Sequence, residues 1–190
     1  KQLCKDIKFF LDQNFKQIKM TSKVDYRSRE NVNHNFFFIN KDNANSFQNS
    51  LRNQLAITSI PRELILKRKG YKFVLNNFYG NLIDIEFESF MNKNLVFQDF
   101  SVLAKKVKFI IIRNIPQLDD NLKDYIHRFI SLIDAFYENK NILSISTRVE
   151  LDSIYNGKKN AVELKRTISR LKEMGSNTYI TNNLKNFVKK

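Results

Sequence analysis

The sequence predicts an α/β fold built around a parallel sheet. The first observation is an almost wholly apolar run over residues 107–112, which is typical of a strand buried on both faces. The second is a long helix pattern that follows it, and the third is a further strand pattern over residues 142–147. A strand, a helix and a second strand at this spacing form a βαβ unit, whose two strands run parallel.

The N-terminal part of the chain alternates between helix and strand patterns. Apolar residues at helical spacing predict one helix over residues 1–14 and another over residues 41–56. Alternating and aromatic residues predict strands over residues 15–20 and 34–39, with a polar, turn-like stretch between them.

A β-rich segment comes next. Its short strands are predicted over residues 63–67, 71–75 and 82–87. Gly70 and the Gly80–Asn81 step supply the turns between these strands. A helix pattern over residues 98–106 then leads into the apolar strand, so we expect residues 60–88 to form a small β-rich insertion.

The C-terminal half has the more regular pattern. Asp119 or Asp120 is a good N-cap for the long helix, which keeps one broad apolar face as far as Asn139. That face is made of Leu122, Tyr125, Ile126, Phe129, Leu132, Ile133 and Phe136. A short helix is predicted over residues 151–155, and two further helices, the last of them basic, complete the chain.

A pair of arginines marks the first of those two C-terminal helices. Arg166 and Arg170 lie four residues apart, opposite an apolar stripe of Leu164, Ile168 and Leu171. We expect both guanidinium groups on the open side of the helix, where they could reach a phosphate on a partner. Alternatively, they form ion pairs with acidic residues three positions away on a solvated face of the same helix.

Composition limits the class of protein. The 190 residues are 42% hydrophobic and 27% charged, which is the balance of a globular domain with a substantial core. No apolar run approaches the roughly 20 residues of a membrane-spanning helix. The single cysteine, Cys4, excludes an internal disulfide and fits a reducing compartment, so we expect a cytoplasmic protein.

The formal net charge of +14 has two interpretations. It could create an electrostatic surface for nucleic acid or for an anionic membrane. Alternatively, it reflects AT-rich codons, as in a bacterial genome of that composition, which also produce abundant Asn, Ile and Phe and no Trp. The lysines are spread along the chain, which favours the second interpretation.

No complete active site can be recognised from the residue pattern. The sequence lacks the Gly-x-x-x-x-Gly-Lys-Ser/Thr, Gly-x-Gly-x-x-Gly, His-Glu-x-x-His and Cys-x-x-Cys motifs. Gly157-Lys158-Lys159 lacks the upstream glycine and the following hydroxyl of a phosphate-binding loop. His34 and His127 are far apart in the sequence, and no metal site is predicted.

Five blocks follow one another in a set order. They occupy residues 24–29, 109–116, 128–137, 145–157 and 166–176. Their most distinctive residues, outside the arginine pair, are Asp25, Tyr26, Arg27, Arg29, Arg128, Asp134 and Tyr137. The last block, Arg-Thr-Ile-Ser-Arg-Leu-Lys-Glu-Met-Gly-Ser, is the most specific. Together the blocks resemble the ZapE family of AAA+-like P-loop ATPases, which includes bacterial cell-division factors and mitochondrial homologues.

The resemblance implies a P-loop-NTPase-like parallel sheet and phosphoryl transfer from ATP to water with Mg²⁺. The blocks match the C-terminal half of such a protein, whereas its Walker A loop and Walker B carboxylates belong to the N-terminal half. Since the chain also begins at Lys1 without an initiator Met, we expect residues 1–190 to be the C-terminal portion of a ZapE-like ATPase domain. We expect this portion to bind no ATP or Mg²⁺ and to be inactive alone.

The resemblance also suggests roles for individual residues. Ser169-Arg170 resembles the Ser-Arg step that carries an arginine finger in related proteins, so Arg170 is the finger candidate and Arg166 its companion. Ser146, at a strand end, is either a polar sensor of the γ-phosphate or a hydroxyl that caps the next turn. Asn114 stands where the family tends to have Asp, and it lacks the charge that would help to hold a metal ion.

Two functions are therefore predicted. The first is a portion of a ZapE-like ATPase, with an N-terminal ATPase half, a further copy of the chain or a division-ring protein as its partner. The alternative is a non-catalytic basic binding module for nucleic acid or a partner protein, with nucleic acid the less favoured partner.

Overall fold

The computed structural model describes residues 37–39 and 41–188, and the side chains within residues 44–184. The helix predicted over residues 1–14, the strand over 15–20 and the block with Asp25, Tyr26, Arg27 and Arg29 lie outside these residues. The strands are β1 (Phe37–Ile39), β2 (Arg62–Arg68), β3 (Tyr71–Phe78), β4 (Leu82–Glu86), β5 (Phe109–Ile115) and β6 (Ile142–Thr147). The helices are α1 (Lys41–Leu55), α2 (Phe87–Met91), α3 (Phe97–Lys106), α4 (Lys123–Glu138), α5 (Ala161–Met174) and α6 (Asn177–Val188).

The six strands form one mixed sheet in the order β1-β6-β5-β4-β3-β2. Neighbours among β1, β6, β5 and β4 pair in parallel, as the βαβ pattern predicts. Strands β2 and β3, which belong to the predicted β-rich segment, pair antiparallel, because short turns join β2 to β3 and β3 to β4. The α/β class is confirmed.

The β-rich segment belongs to this same sheet. Its strand β4 pairs in parallel with β5, and β3 and β2 extend the sheet outward as a hairpin. Gly70 and Gly80 sit at the turns with φ of 78° and 83°, where a side chain would be strained. That the segment is an insertion relative to other proteins stays a prediction.

Helices cover both faces of the parallel strands. Successive residues of β5 point to opposite faces, so Ile110 and Ile112 enter one core while Phe109 and Ile111 enter the other. The larger core packs the sheet against α2 to α5, and the predicted apolar face of α4 lies in it. The smaller core packs against the end of α1 and against Leu184 of α6. Within the described residues, no helix has the length and apolarity to cross a membrane.

The long helix starts as the capping signal indicates. Asp119 accepts a hydrogen bond from the Asn121 amide at 2.9 Å and caps a 3₁₀ turn over Asp120–Leu122, from which α4 continues. Asp119 is therefore the cap, and Asp120 has the different role described below. The predicted short helix over residues 151–155 is a 3₁₀ turn at Leu151–Ser153.

A buried ion pair fastens α1 to the sheet. Arg113 of β5 donates two hydrogen bonds of 2.7 Å to the Asp84 carboxylate of β4, and Arg52 of α1 adds a third contact at 3.2 Å. Arg113 also donates to Asn49 of α1 at 3.0 Å. The Asp84 side chain is only 5% exposed, so two cations compensate the cost of burying its charge.

Candidate functional site

The two arginines of α5 share one carboxylate. Arg166 Nη2 donates to Asp134 Oδ2 at 3.0 Å, and Arg170 Nη1 donates to the other oxygen, Oδ1. Asp134 lies on α4, and both arginines lie one helical turn apart on the facing side of α5. The fold thus brings together residues of two separate sequence blocks.

The expectation that both arginines lie on an open helix face is wrong for Arg170. The Arg170 side chain is 25% exposed, against 56% for Arg166. The alternative partners, Glu163 for Arg166 and Glu173 for Arg170, form no such ion pair in the described part of the chain. Asp134 takes their place because α4 packs beside α5 and carries the carboxylate between the two guanidinium groups.

Tyr137, one turn after Asp134 on α4, completes the site. The Arg170 guanidinium lies over its ring, 5.0 Å from the centroid. Its hydroxyl donates to Glu173 Oε2 at 2.7 Å, and this hydrogen bond, more than burial, raises the pKa of Tyr137. We call Asp134, Tyr137, Arg166, Arg170 and Glu173 the arginine cluster.

The arginine cluster presents its two cations unequally. Arg170 is held on one side by the Asp134 carboxylate and on another by the Tyr137 ring. Among the described residues, Arg166 forms an ion pair with Asp134 alone, and more than half of its side chain is in solvent. Its remaining N–H groups can therefore meet an external anion, whereas Arg170 fixes the position of the shared carboxylate.

Two other predicted residues lie outside the cluster. Arg128, although on α4, donates to the Met91 carbonyl at 2.8 Å and contacts Asn94 Oδ1 at 3.4 Å, so it braces the segment between α2 and α3. Ser146 lies on β6 and is 4% exposed. Its Oγ accepts from the Asn114 amide at 2.9 Å, so the hydroxyl contacts the neighbouring strand.

Asn114 marks an irregular end of β5. Its φ is 59°, and the pairing of β5 with β6 shifts register between Ile112 and Ile115. Its side-chain amide donates to Glu86 Oε1 at the end of β4. A carboxylate is thus present at this edge of the sheet, supplied by Glu86 beside the uncharged Asn114.

Sequence reasoning missed a second polar cluster, between the starts of α4 and α5. The Asp120 carboxylate accepts hydrogen bonds from the Tyr155 hydroxyl and from the amides of Lys158 and Lys159, the latter two at 3.1 and 3.2 Å. The Tyr155 hydrogen bond is the main cause that lowers the pKa of Asp120, while burial is the main cause that raises the pKa of Tyr155. A Cβ at Gly157 would lie 2.5 Å from the Tyr155 ring, so a side chain there would force its neighbours to move.

This second cluster bears on whether the described residues could hold ATP and Mg²⁺. The amides after Gly157 point at an anion, as in a phosphate-binding loop, but Asp120 of the same chain already occupies them. No group of three His, Cys, Asp or Glu side chains suited to a metal occurs in the described ranges. The amides of Lys158 and Lys159 thus bind a carboxylate of the chain itself in this structure.

Comparison with known proteins gives the family. The sequence model of a family described as AFG1-like ATPase matches residues 4–183. Lactation elevated protein 1 homolog B of Danio rerio is 26% identical over 162 residues, which cover 83% of this chain and 32% of that protein. The cell division protein ZapE of Escherichia coli K12 is 33% identical over 82 residues, which cover 43% of this chain and 22% of that protein.

The matched region thus spans about a third or less of the length of these relatives. No solved structure matches the chain. The family match over nearly the whole sequence agrees with the resemblance that the five blocks carry, and the chain belongs to the AFG1-like ATPase family.

Proposed function

We propose that this chain is part of an ATP-hydrolysing enzyme and contributes the arginine cluster to its reaction. The observation that carries the proposal is the Asp134 carboxylate that holds Arg166 and Arg170 side by side. Two arginines held by one carboxylate are oriented in advance, and the more exposed of them keeps N–H groups free for an anion. Such preorganised charge stabilises the negative charge that develops on a transferring phosphoryl group.

The exposed fractions of the two arginine side chains suggest different roles for them. Arg166, 56% exposed, has further N–H groups that can contact the phosphoryl oxygens while Asp134 holds its guanidinium group. Arg170, 25% exposed and stacked on Tyr137, keeps Asp134 and the local backbone in place. Exposure thus favours Arg166 as the contacting residue, although the Ser-Arg resemblance favours Arg170. ATP with Mg²⁺ supplies the phosphoryl group.

The phosphate cradle comes from outside these 190 residues in this proposal. The sequence contains no Walker A loop, and the one loop that resembles it is occupied by Asp120. We propose an N-terminal ATPase segment or a neighbouring subunit as the source, so the chain alone is inactive. The cell-division name of the Escherichia coli relative suggests a division-ring partner.

The test measures phosphate release from ATP. The 190-residue chain is assayed alone, and again joined to the part of the Escherichia coli relative that precedes the matched region. We expect no hydrolysis by the chain alone and hydrolysis by the joined protein. Arg166→Ala in the joined protein should lower kcat by about 10³-fold, since arginine fingers contribute on that order, with ATP binding unchanged.

The control for the arginine variants is Lys165→Ala. Lys165 is an exposed neighbour on the same helix, so its substitution should leave kcat unchanged. Equal rates for Arg166→Ala, Arg170→Ala and Lys165→Ala in an active joined protein would refute the role of the arginine cluster. Hydrolysis by the chain alone would refute the external cradle.

A further inference from the structure

A cavity lies between α4 and the start of α3. Its volume is about 320 Å³, at the lower end of the range for small-molecule sites. It is lined by Asn94, Leu95, Val96, Phe97, Phe100, Asp124, His127, Arg128 and Ser131. No residue of the arginine cluster is among them, so the inference drawn from this cavity is independent of the ATPase proposal.

The two sides of the cavity differ in chemistry. The side next to α3 is mainly apolar, with Leu95 and Phe100 buried and Phe97 43% exposed. The side formed by α4 is polar, because its four lining residues recur every three or four positions and so share one face of the helix. An apolar wall opposite a few polar groups is typical of sites that bind small molecules.

The polar side carries one charge of each sign. Asp124 and Arg128 lie one helical turn apart on α4. Within the described part of the chain, neither of them forms an ion pair. Arg128 donates instead to the Met91 carbonyl at 2.8 Å and to Asn94 Oδ1 at 3.4 Å, and further N–H groups of its guanidinium stay free. Both charges are therefore available to a ligand.

We propose that this cavity binds a free α-amino acid with a large apolar side chain. The ligand carboxylate accepts hydrogen bonds from the Arg128 guanidinium, and the ligand ammonium group donates to the Asp124 carboxylate. The ligand side chain packs against the apolar side of the cavity. A ligand with a single charge would leave one of the two residues without a partner, and a dianion would also be repelled by Asp124, so the opposite charges favour a zwitterion.

L-phenylalanine is the probe, titrated into the 190-residue chain and followed by amide shifts in ¹H–¹⁵N NMR spectra. We expect saturable shifts at the residues of the lining, with a Kd of about 1–5 mM for a ligand of about twelve non-hydrogen atoms. N-acetyl-L-phenylalanine and L-phenylalaninamide each lack one charge, and glycine lacks the ring. Each of the three should bind at least about fivefold more weakly.

Asp124→Asn tests the contact to the ammonium group. It should weaken the binding of L-phenylalanine at least about fivefold and leave that of N-acetyl-L-phenylalanine unchanged, because the acetylated compound has no ammonium group. The matched control is Glu138→Gln, which removes an exposed carboxylate from the other end of the same helix. Asp124 is itself exposed, so its substitution should not disturb folding.

Arg128→Gln tests the contact to the carboxylate. It should weaken the binding of L-phenylalanine and leave that of L-phenylalaninamide unchanged. Because Arg128 also holds the Met91 carbonyl, unchanged binding of the amide shows that the cavity is intact in this variant. Should the variant fail to fold, Asp124→Asn still tests the proposal.

Three results would overturn the proposal: no saturable shifts up to about 50 mM L-phenylalanine, equal affinity for glycine, or equal effects of Asp124→Asn and Glu138→Gln. Tighter binding of N-acetyl-L-phenylalanine than of L-phenylalanine would also overturn it, because the ligand would then be the carboxyl end of a peptide.

Discussion

Asp134 is the residue on which the arginine cluster depends. Its carboxylate is 18% exposed and meets two guanidinium groups. Without it, Arg170 would keep the Tyr137 ring but lose its counter-charge, and Arg166 would have no fixed position. A single acidic residue thus determines how both cations are presented.

Asp134→Asn should therefore lower the free energy of unfolding by about 1–3 kcal/mol, between the values for exposed and buried ion pairs. The matched control is Asp152→Asn, because Asp152 is 74% exposed and pairs with Lys172, itself 44% exposed. That control should cost less than about 0.5 kcal/mol. Urea unfolding of both variants measures the difference, and equal losses would contradict the prediction.

Gly157 is fixed by steric contact. A methyl group there would meet the Tyr155 ring at 2.5 Å and Asp120 Oδ1 at 2.6 Å. Gly157→Ala should cost about 1–3 kcal/mol, as overpacking does. In a Tyr155→Ala background the ring is gone and Asp120 Oδ1 loses the hydroxyl that binds it, so the same change should cost less than half as much. A double-mutant cycle by urea unfolding checks this, and strictly additive losses would count against the contact.

Among the helices, α4 and α5 are joined at two places. Asp120, just before α4, binds the segment that leads into α5, and the arginine cluster joins the later turns of the two helices. The N-terminal ends of α4 and α5 therefore lie near each other, and so do their later turns. The two helices run in the same direction. The connection through β6 between them makes this arrangement possible.

The contribution of the Asp120 hydrogen bonds to stability should depend on pH. The folded state lowers the pKa of Asp120, so its contribution to stability is present above the unfolded value, near 3.8, and is lost as pH falls through the lower folded value. Asp120→Asn should flatten the fall of stability below about pH 4. Urea midpoints between pH 2.5 and 7 measure it, with exposed Glu88→Gln as control. If the stability of Asp120→Asn falls below pH 4 as steeply as that of the unsubstituted chain, protonation of Asp120 is not the cause.

For the whole molecule, local sequence patterns were sufficient to predict most of the described helices and strands. The apolar run of β5, the broad face of α4 and the glycine turns of the hairpin each arise from residues close in sequence. The observed bounds of β6, Ile142–Thr147, are those predicted from the sequence. The family followed from block order, which the family match confirms.

The parts that depend on distant contacts could not be predicted. Asp134 lies 32 residues from Arg166, and Asp120 lies 35 residues from Tyr155, so no periodicity connects them. The antiparallel edge depends on which strand the hairpin joins, and residue types in β2 do not determine that. The site roles of Ser146, Arg166 and Arg170 stay predictions until the proposed assays are made.

The two joints between α4 and α5 have a mechanical consequence. A force applied to Arg166 by a bound phosphoryl group would not stop at α5, because Asp134 passes it to α4 and α4 is packed along β5 and β6. The Asp120 hydrogen bonds connect the start of α4 to the segment before α5. A displacement of Arg166 would therefore be shared by α4 and α5.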